Sequence, residues 1–362
     1  MLNTLRLTKS NALYLLVIFA PIALGLNVVH NDNLLVFLFA AIALVPLAKL
    51  ISDSTEHLAA YYGPTVGSLL NVTFGNAAEI IIGVIAISAG LIDLVKASIT
   101  GSILGNILLV FGLSLVAGGL KSKEQSFNKE NSGIQSSMLF LAIIGLAVPT
   151  ILSSTVLKTV NIENQSKIQI LSDILALLLL AVYILGIIFT FVTHKHLFAL
   201  SKREEEELLS WTKKRSFLML IISMVGVIIV SEVLVDSVEV TIKKFGFGEL
   251  FVGAIVVGIV GNAAEHSGAI ILARRGKIDL SIGIAAGSGT QVALFVVPTL
   301  VISGILMGRS FTLVFTIFEL IAVFLAAIIL NLIAHDGKSN WFEGVMLTVV
   351  YIIIAIGFFF IR

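Results

Sequence analysis

The feature that most constrains this chain is a succession of apolar runs, each about 20 residues long, recurring from near the N-terminus to the C-terminus with only short polar stretches between them. Runs of about that length are what a helix needs to cross the hydrocarbon core of a bilayer. The composition agrees: 12% of residues are charged and 58% hydrophobic, whereas a soluble domain carries about 25% charged residues. Too little polar surface is left to face water. The pattern predicts an all-α polytopic membrane protein with about eleven transmembrane helices, at residues 12–30, 34–52, 64–90, 97–118, 135–153, 171–192, 216–240, 247–272, 278–303, 311–333 and 341–361.

The first run follows Arg6 and Lys9, as the core of a secretory leader would. Its apolar core is long, however, and Leu24-Gly25-Leu26-Asn27 is a poor small-residue cleavage site, so it is read as a span. Counting Lys and Arg in alternate loops gives fifteen on the side of the N-terminus and seven on the other. The positive-inside rule then places the N-terminus in the cytoplasm and the C-terminus outside, with a prokaryotic cell membrane as the expected location. Cysteine is absent, so no disulfide framework exists, and a net charge of +1 excludes a strongly basic nucleic-acid binder.

Displacing the chain by 186 positions lays Val66–Ser102 over Val252–Ser288 without a gap. The five residues Gly75-Asn76-Ala77-Ala78-Glu79 match Gly261-Asn262-Ala263-Ala264-Glu265, Ile92-Asp93-Leu94 matches Ile278-Asp279-Leu280, and Gly101-Ser102 matches Gly287-Ser288. Small residues coincide easily in membrane helices. An Asn, a Glu, an Asp and a Ser in one register do not, and the chain is read as an internal duplication. The two copies are separated by an odd number of crossings, so the repeats are inverted. The expected organisation is an extra N-terminal helix at 1–33, five-helix repeats at 34–192 and 216–362, and a cytoplasmic acidic linker at 193–215. Such pseudo-symmetry places substrate sites near the bilayer midplane, on locally broken helices at the repeat interface.

Both GNAAE motifs lie within apolar runs. A charge at the bilayer centre costs at least about 2.5–3.5 kcal/mol. Asn76 and Glu79 are three residues apart and share a helix face, as do Asn262 and Glu265. Ser102 with Asn106, and Ser288 with Gln291, add polar groups at matching depth in the following spans. This donor set is oxygen-based, with two carboxylates. It suits calcium, which takes 6–8 oxygens in flexible geometry, better than zinc or copper, and magnesium is less easily held. Without the metal, two neighbouring buried acids repel one another and lose solvation, and both effects favour the protonated form. Competition between a divalent cation and protons for Glu79 and Glu265 is the chemistry of an antiporter. The alternative is that each Glu makes a structural polar contact between helices.

With these residues in place, the chain resembles the cation/proton exchanger family of the calcium/cation antiporter superfamily, from the second span to the C-terminus. Gly75–Ile80, GNAAEI, is similar to the first family signature and Gly261–His266, GNAAEH, to the second. Many members carry Thr where Ala78 stands. The sodium/calcium branch has Thr-Ser and Pro before the Glu, and neither occurs here. The resemblance implies calcium efflux driven by inward protons, with Glu79 and Glu265 as shared metal ligands and proton acceptors. It implies Asn76 and Asn262 as their partners, and Ser102, Asn106, Ser288 and Gln291 as lining residues.

Other polar groups admit two readings. Asp53, Glu56 and His57 end the second span, and Glu232, Asp236 and Glu239 lie along the seventh. They form either a cation vestibule with a proton-exchanging gate or helix ends reaching water. The run Arg203-Glu204-Glu205-Glu206-Glu207 is a solvated face or a cation-attracting regulatory segment. Glu319 is either on a proton path or a buried contact. His266 points away from Glu265 and reads as a packing or tuning neighbour rather than a ligand, and His30, His194 and His196 read as solvated at span ends. No Walker-type phosphate loop occurs, so the chain is read as a secondary transporter and not an enzyme. Calcium, protons and the lipid bilayer are its partners, with no cofactor and no nucleic acid. A sodium- or potassium-coupled calcium exchanger on the same scaffold, and a passive channel or non-transporting scaffold, are the alternatives.

Overall fold

The computed structural model describes residues 12–29, 33–155, 162–194 and 211–361. Among them, nine helical stretches are long and apolar enough to span a bilayer, and a tenth crossing is a bent pair, Glu249–Gly261 and Ala263–Arg274, whose axes differ by 61°. The chain is an all-α membrane protein. The span expected at 12–30 is a shorter apolar helix, Leu13–Val28, made of a 3₁₀ turn at Ala12–Ile18 and α1, Phe19–Val28.

The helices that follow are α2 (Asn33–Gly75) and α3 (Ala77–Ser88), then α4 (Ile92–Leu104) and α5 (Phe111–Gly119) joined by a π-helical turn at Gly105–Val110. After these come α6 (Lys129–Thr155), α7 (Ile162–Ile188) and α8 (Lys213–Phe245). The bent crossing contains α9 (Glu249–Phe251), a π turn at Val252–Val257, α10 (Gly258–Gly261) and α11 (Ala263–Arg274). Next are α12 (Ile278–Gln291), a π turn at Val292–Val296 and α13 (Val297–Leu306). The last two helices are α14 (Ile317–Ala334) and α15 (Trp341–Phe360).

Two differences from the hydropathy reading have physical causes. The stretch between the second and third predicted spans is helical rather than a loop, because Asp53, Glu56 and His57 find local partners and neither Gly nor Pro occurs between Pro46 and Gly63. There the chain doubles back: a Cβ on Gly67 would lie 2.7 Å from the carbonyl oxygen of Ala59, although eight residues of straight helix cover about 12 Å. Several helices also run past the predicted limits into charged ends such as Lys129 and Lys213, since backbone hydrogen bonding does not stop where hydropathy falls.

The duplication is visible in the backbone. At the 186-residue offset, Gly90 (φ 85°) and Gly276 (φ 84°) occupy the same left-handed turn. Each turn closes its helix with a matching hydrogen bond, Leu91 N to Ala86 O at 2.9 Å in the first and Lys277 N to Leu272 O at 3.0 Å in the second. The π turns after α4 and α12 also coincide at that offset.

On one side of the molecule, β1 (Gln125–Ser126) pairs antiparallel with β2 (Lys338–Ser339). This side is the ribbon face, and the opposite side, bearing Gly90 and Gly246, is the far face. The buried apolar residues form two separate cores. One joins α1, α2 and α8 with the first turns of α3, Leu94 of α4, and Val252 and Val257 of the π turn. The other holds most of α4–α7 and α11–α15, together with the far end of α3. The broken helices run along the seam between them.

Candidate functional site

Both GNAAE motifs break their helix at the Asn. Asn76 adopts φ −96° and ψ 16°, and Asn262 φ −95° and ψ 6°. A new helix begins immediately after each, so Glu79 and Glu265 lie in the first turns of α3 and α11, where the helix dipole favours negative charge. The two crossings run in opposite directions, and each acid packs against the glycine of the other motif. A Cβ on Gly261 would lie 3.4 Å from Glu79 Oε1, and one on Gly75 would lie 3.8 Å from Glu265 Oε1. The carboxylates are close enough for their charges to interact.

The amides tie the halves together. Asn76 Nδ2 donates to Gln291 Oε1 at 2.9 Å, and Asn262 Nδ2 donates to Ser102 Oγ at 2.8 Å. Asn106 Nδ2 donates to Asn262 Oδ1 at 3.1 Å and to Ser288 Oγ at 2.9 Å, and Ser288 is within hydrogen-bonding reach of Glu265. All eight residues expected at the cation site therefore meet in one cluster, in which Asn76, Ser102, Asn106, Asn262 and Ser288 are buried and Glu79, Glu265 and Gln291 half-buried. The side-chain nitrogens of Asn76, Asn106 and Asn262 donate within it, whereas Glu79 Oε2, Glu265 Oε2 and Asn106 Oδ1 are buried without a hydrogen-bond donor among the described residues. Buried acceptors of this kind are costly unless something supplies positive charge. No three His, Cys, Asp or Glu side chains converge among the described residues, so the set is two acids with neutral oxygens.

Toward the far face the cluster is shut. The cavity beside Glu79 and Ser102 holds about 20 Å³, room for roughly one water, and is lined chiefly by apolar groups such as Ile82, Val95 and Leu300. Beyond it, α4 touches the 252–257 π turn backbone to backbone: a Cβ on Gly101 would lie 1.9 Å from Ala254 O, and one on Gly253 would lie 2.7 Å from Leu94 O. The counterpart of Gly101 in the second repeat is Gly287, around which there is open space within 4 Å. At this one duplicated position the same residue thus packs tightly on the far-face side and loosely on the ribbon-face side.

A sequence model of the family described as sodium/calcium exchanger protein matches residues 33–192 and 215–360. The chain belongs to that family. Among its relatives, a Ca(2+)/H(+) antiporter of Aphanothece halophytica is 40% identical, with 98% of each chain covered. The Ca(2+)/H(+) antiporter ChaA of Bacillus subtilis is 39% identical, over 96% of this chain and 99% of the relative. The solved structure of native YfkE superposes with a TM-score of 0.83 at 36% identity, covering 96% of this chain and 99% of that one. The two-inverted-repeat architecture is that of this exchanger family.

The residues expected either at a vestibule or at solvated helix ends fall into different surroundings. Asp53 accepts a hydrogen bond from Tyr14 and an ion pair from Lys49 at 2.9 Å. His57 Nδ1 lies 2.6 Å from Asp53 O, and its ring stacks on Trp211 at 4.7 Å. Glu56 is exposed, accepts from Ser52 Oγ at 3.4 Å, and lies near enough for its charge to act on Glu265. Glu232, Asp236 and Glu239 are exposed along α8, with Glu239 paired to Lys243 at 2.6 Å.

Glu319 is buried and saturated: its carboxylate accepts from Thr316 N, Thr316 Oγ1 and Thr100 Oγ1 in a helix-capping arrangement. His266 is buried beside Gly105, on which a Cβ would lie 3.6 Å from His266 Cε1, and its Nε2 has no hydrogen-bond partner among the described residues. His194 stacks on Phe189 at 3.9 Å. The acidic run 203–207, His30 and His196 lie outside the described residues.

Sequence reasoning missed Tyr183, which is buried in α7, stacked on Phe295 at 5.2 Å and within electrostatic reach of Glu265. A single hydroxyl in an otherwise apolar run was the available signal, and the repeat offers no counterpart to reinforce it.

Proposed function

We propose that this chain is a secondary active transporter that exchanges cytosolic calcium for external protons by alternating access. The observation that carries the reading is the reciprocal packing of Glu79 and Glu265 on each other's glycines, with buried acceptor oxygens left over. Calcium is the cargo these oxygens suit, because hard oxygen ligands and two negative charges match one divalent ion of flexible coordination. When calcium leaves, the two acids are buried side by side without a cation, and protons replace it. Each side of the membrane thus presents the site with the same competition, and the difference in proton and calcium activity across the bilayer sets the direction.

In this reading Glu79 and Glu265 bind the exchanged ions, Asn76 and Asn262 orient them, and Ser102, Asn106, Ser288 and Gln291 complete the lining. The ribbon face is cytoplasmic, as the distribution of Lys and Arg suggests, so the tight far-face packing describes a state closed to the outside. Glu56 guides cations at the cytoplasmic mouth, and the 193–215 segment joins repeats 34–192 and 216–362 on that side. A prokaryotic cell membrane fits this arrangement.

The deciding measurement is calcium flux in proteoliposomes with an imposed pH gradient and no sodium or potassium gradient. The parent protein moves calcium against its gradient at the expense of protons. Glu79→Gln and Glu265→Gln each abolish exchange while inserting and purifying normally. Flux that required sodium or potassium, or Gln variants that transported at the parental rate, would overturn the reading.

A further inference from the structure

A second charged cavity lies at the far face. It holds about 750 Å³ and is lined by Asp93 and Lys96 of α4, Lys243 of α8, Glu249 of α9, and Thr316 and Glu319 at the start of α14. At the 186-residue offset, its lining stretch from Ile242 to Leu250 falls on Glu56 to Pro64, the stretch at the opposite mouth. The cavity is therefore the pseudo-symmetric far-face mouth, cut off from the ion site here by the apolar seal around Ile82 and Val95.

The charges at this mouth are not used alike. Glu319 is saturated by three donors, and Lys243 is committed to Glu239. Lys96 is different. It is 9% exposed, it faces the cavity, and among the described residues it has no hydrogen bond or ion pair within 4 Å, although Asp93 and Glu319 act on it electrostatically. Its counterpart in the other repeat is Ile282, buried and apolar. The duplication thus preserves Asp93 as Asp279 but at this position places a cation only in the far-face copy.

The geometry assigns Lys96 as a tethered counter-ion that keeps the carboxylates of the far-face mouth from holding a departing divalent cation. This inference rests on the calcium-exchange reading. Without an internal positive charge, Asp93, Glu249 and Glu319 would form a one-sign acidic basin at the exit, and such a basin concentrates cations. A calcium ion released there would linger and rebind. An ammonium that stands free of any single carboxylate offsets their field without closing the mouth, and it repels a doubly charged ion twice as strongly as a proton or sodium.

The test is inhibition of calcium transport by calcium added to the far-face side, in sided proteoliposomes at a fixed pH gradient. Lys96→Gln lowers the inhibiting calcium concentration by at least roughly threefold and leaves the KM on the ribbon-face side unchanged. Lys96→Arg retains the parental value. Asp93→Asn, which removes an acid instead, shifts the inhibition the opposite way and keeps the inference testable if Lys96→Gln does not fold. An unchanged inhibition constant in a well-folded Lys96→Gln, an equal shift in Lys96→Arg, or no opposite shift in Asp93→Asn overturns the assignment. Absence of proton-driven calcium flux in the parent would instead defeat the underlying functional reading.

Discussion

The contrast between Gly101 and Gly287 supports a quantitative prediction about which side opens. A methyl group at Gly101 would stand 1.9 Å from Ala254 O and 2.5 Å from Ala254 Cα, so Gly101→Ala forces two backbones apart by more than 1 Å. Overpacking of this kind costs about 1–3 kcal/mol. The cost falls only on the state in which α4 touches the 252–257 turn. If opening the far face separates those segments, as the free space at Gly287 suggests for its mirror image, the closed state loses roughly 5- to 150-fold in relative population. The chain contains no cysteine, so Ser98→Cys beside the sealed cavity supplies a single reporter thiol. Its labelling by a membrane-impermeant reagent added at the far face should accelerate about fivefold or more in Gly101→Ala. Gly287→Ala, which meets nothing within 4 Å, should leave the rate at the parental value. Parental labelling in a folded Gly101→Ala, or acceleration by both substitutions alike, would refute the idea that this contact is the far-face seal.

Three further outcomes are expected. Calcium affinity on the ribbon-face side should rise with pH, because Glu79 and Glu265 must both be ionised to hold a divalent ion; calcium binding should release protons, measurable as acidification of a weakly buffered solution. Asn76→Ala removes the 2.9 Å bond to Gln291 and should weaken calcium binding measured by calorimetry while leaving the helical circular-dichroism signal intact. Gly90→Ala and Gly276→Ala each place a side chain at φ near 85° and should each destabilise the protein by about 1 kcal/mol in a thermal-aggregation assay.

Much of the site was legible because its signals are local. An Asn and a Glu three residues apart, repeated in register within apolar runs, need no tertiary information to stand out, and parity of the crossings orients one copy against the other. The hydropathy pattern likewise located the spans of the two repeats. It could not show that α2 continues through Asp53, Glu56 and His57, since those groups are accommodated by Tyr14, Lys49, Ser52 and Trp211, which are distant or unremarkable in sequence. Nor could it foresee the π turns, which depend on how α4 and α12 pack. The state of the molecule was beyond it for a stronger reason: Gly101-Ser102 and Gly287-Ser288 are the same residues, and only packing distinguishes a sealed mouth from an unsealed one. Glu319 was ambiguous from sequence because its saturating partners include Thr100, 219 positions away.

The division of the apolar interior into two cores sets how the protein can move. A close-packed interior resists gradual deformation, so a single core spanning both repeats would have to be repacked whenever the site changed sides. Here α1, α2 and α8 carry their own core, and the boundary with the other runs past Ala77, Ala78 and the paired acids. On the proposed exchange mechanism that boundary is where the two blocks would slip: displacement along it would shear small side chains and polar contacts, and an ion held between Glu79 and Glu265 would resist the movement.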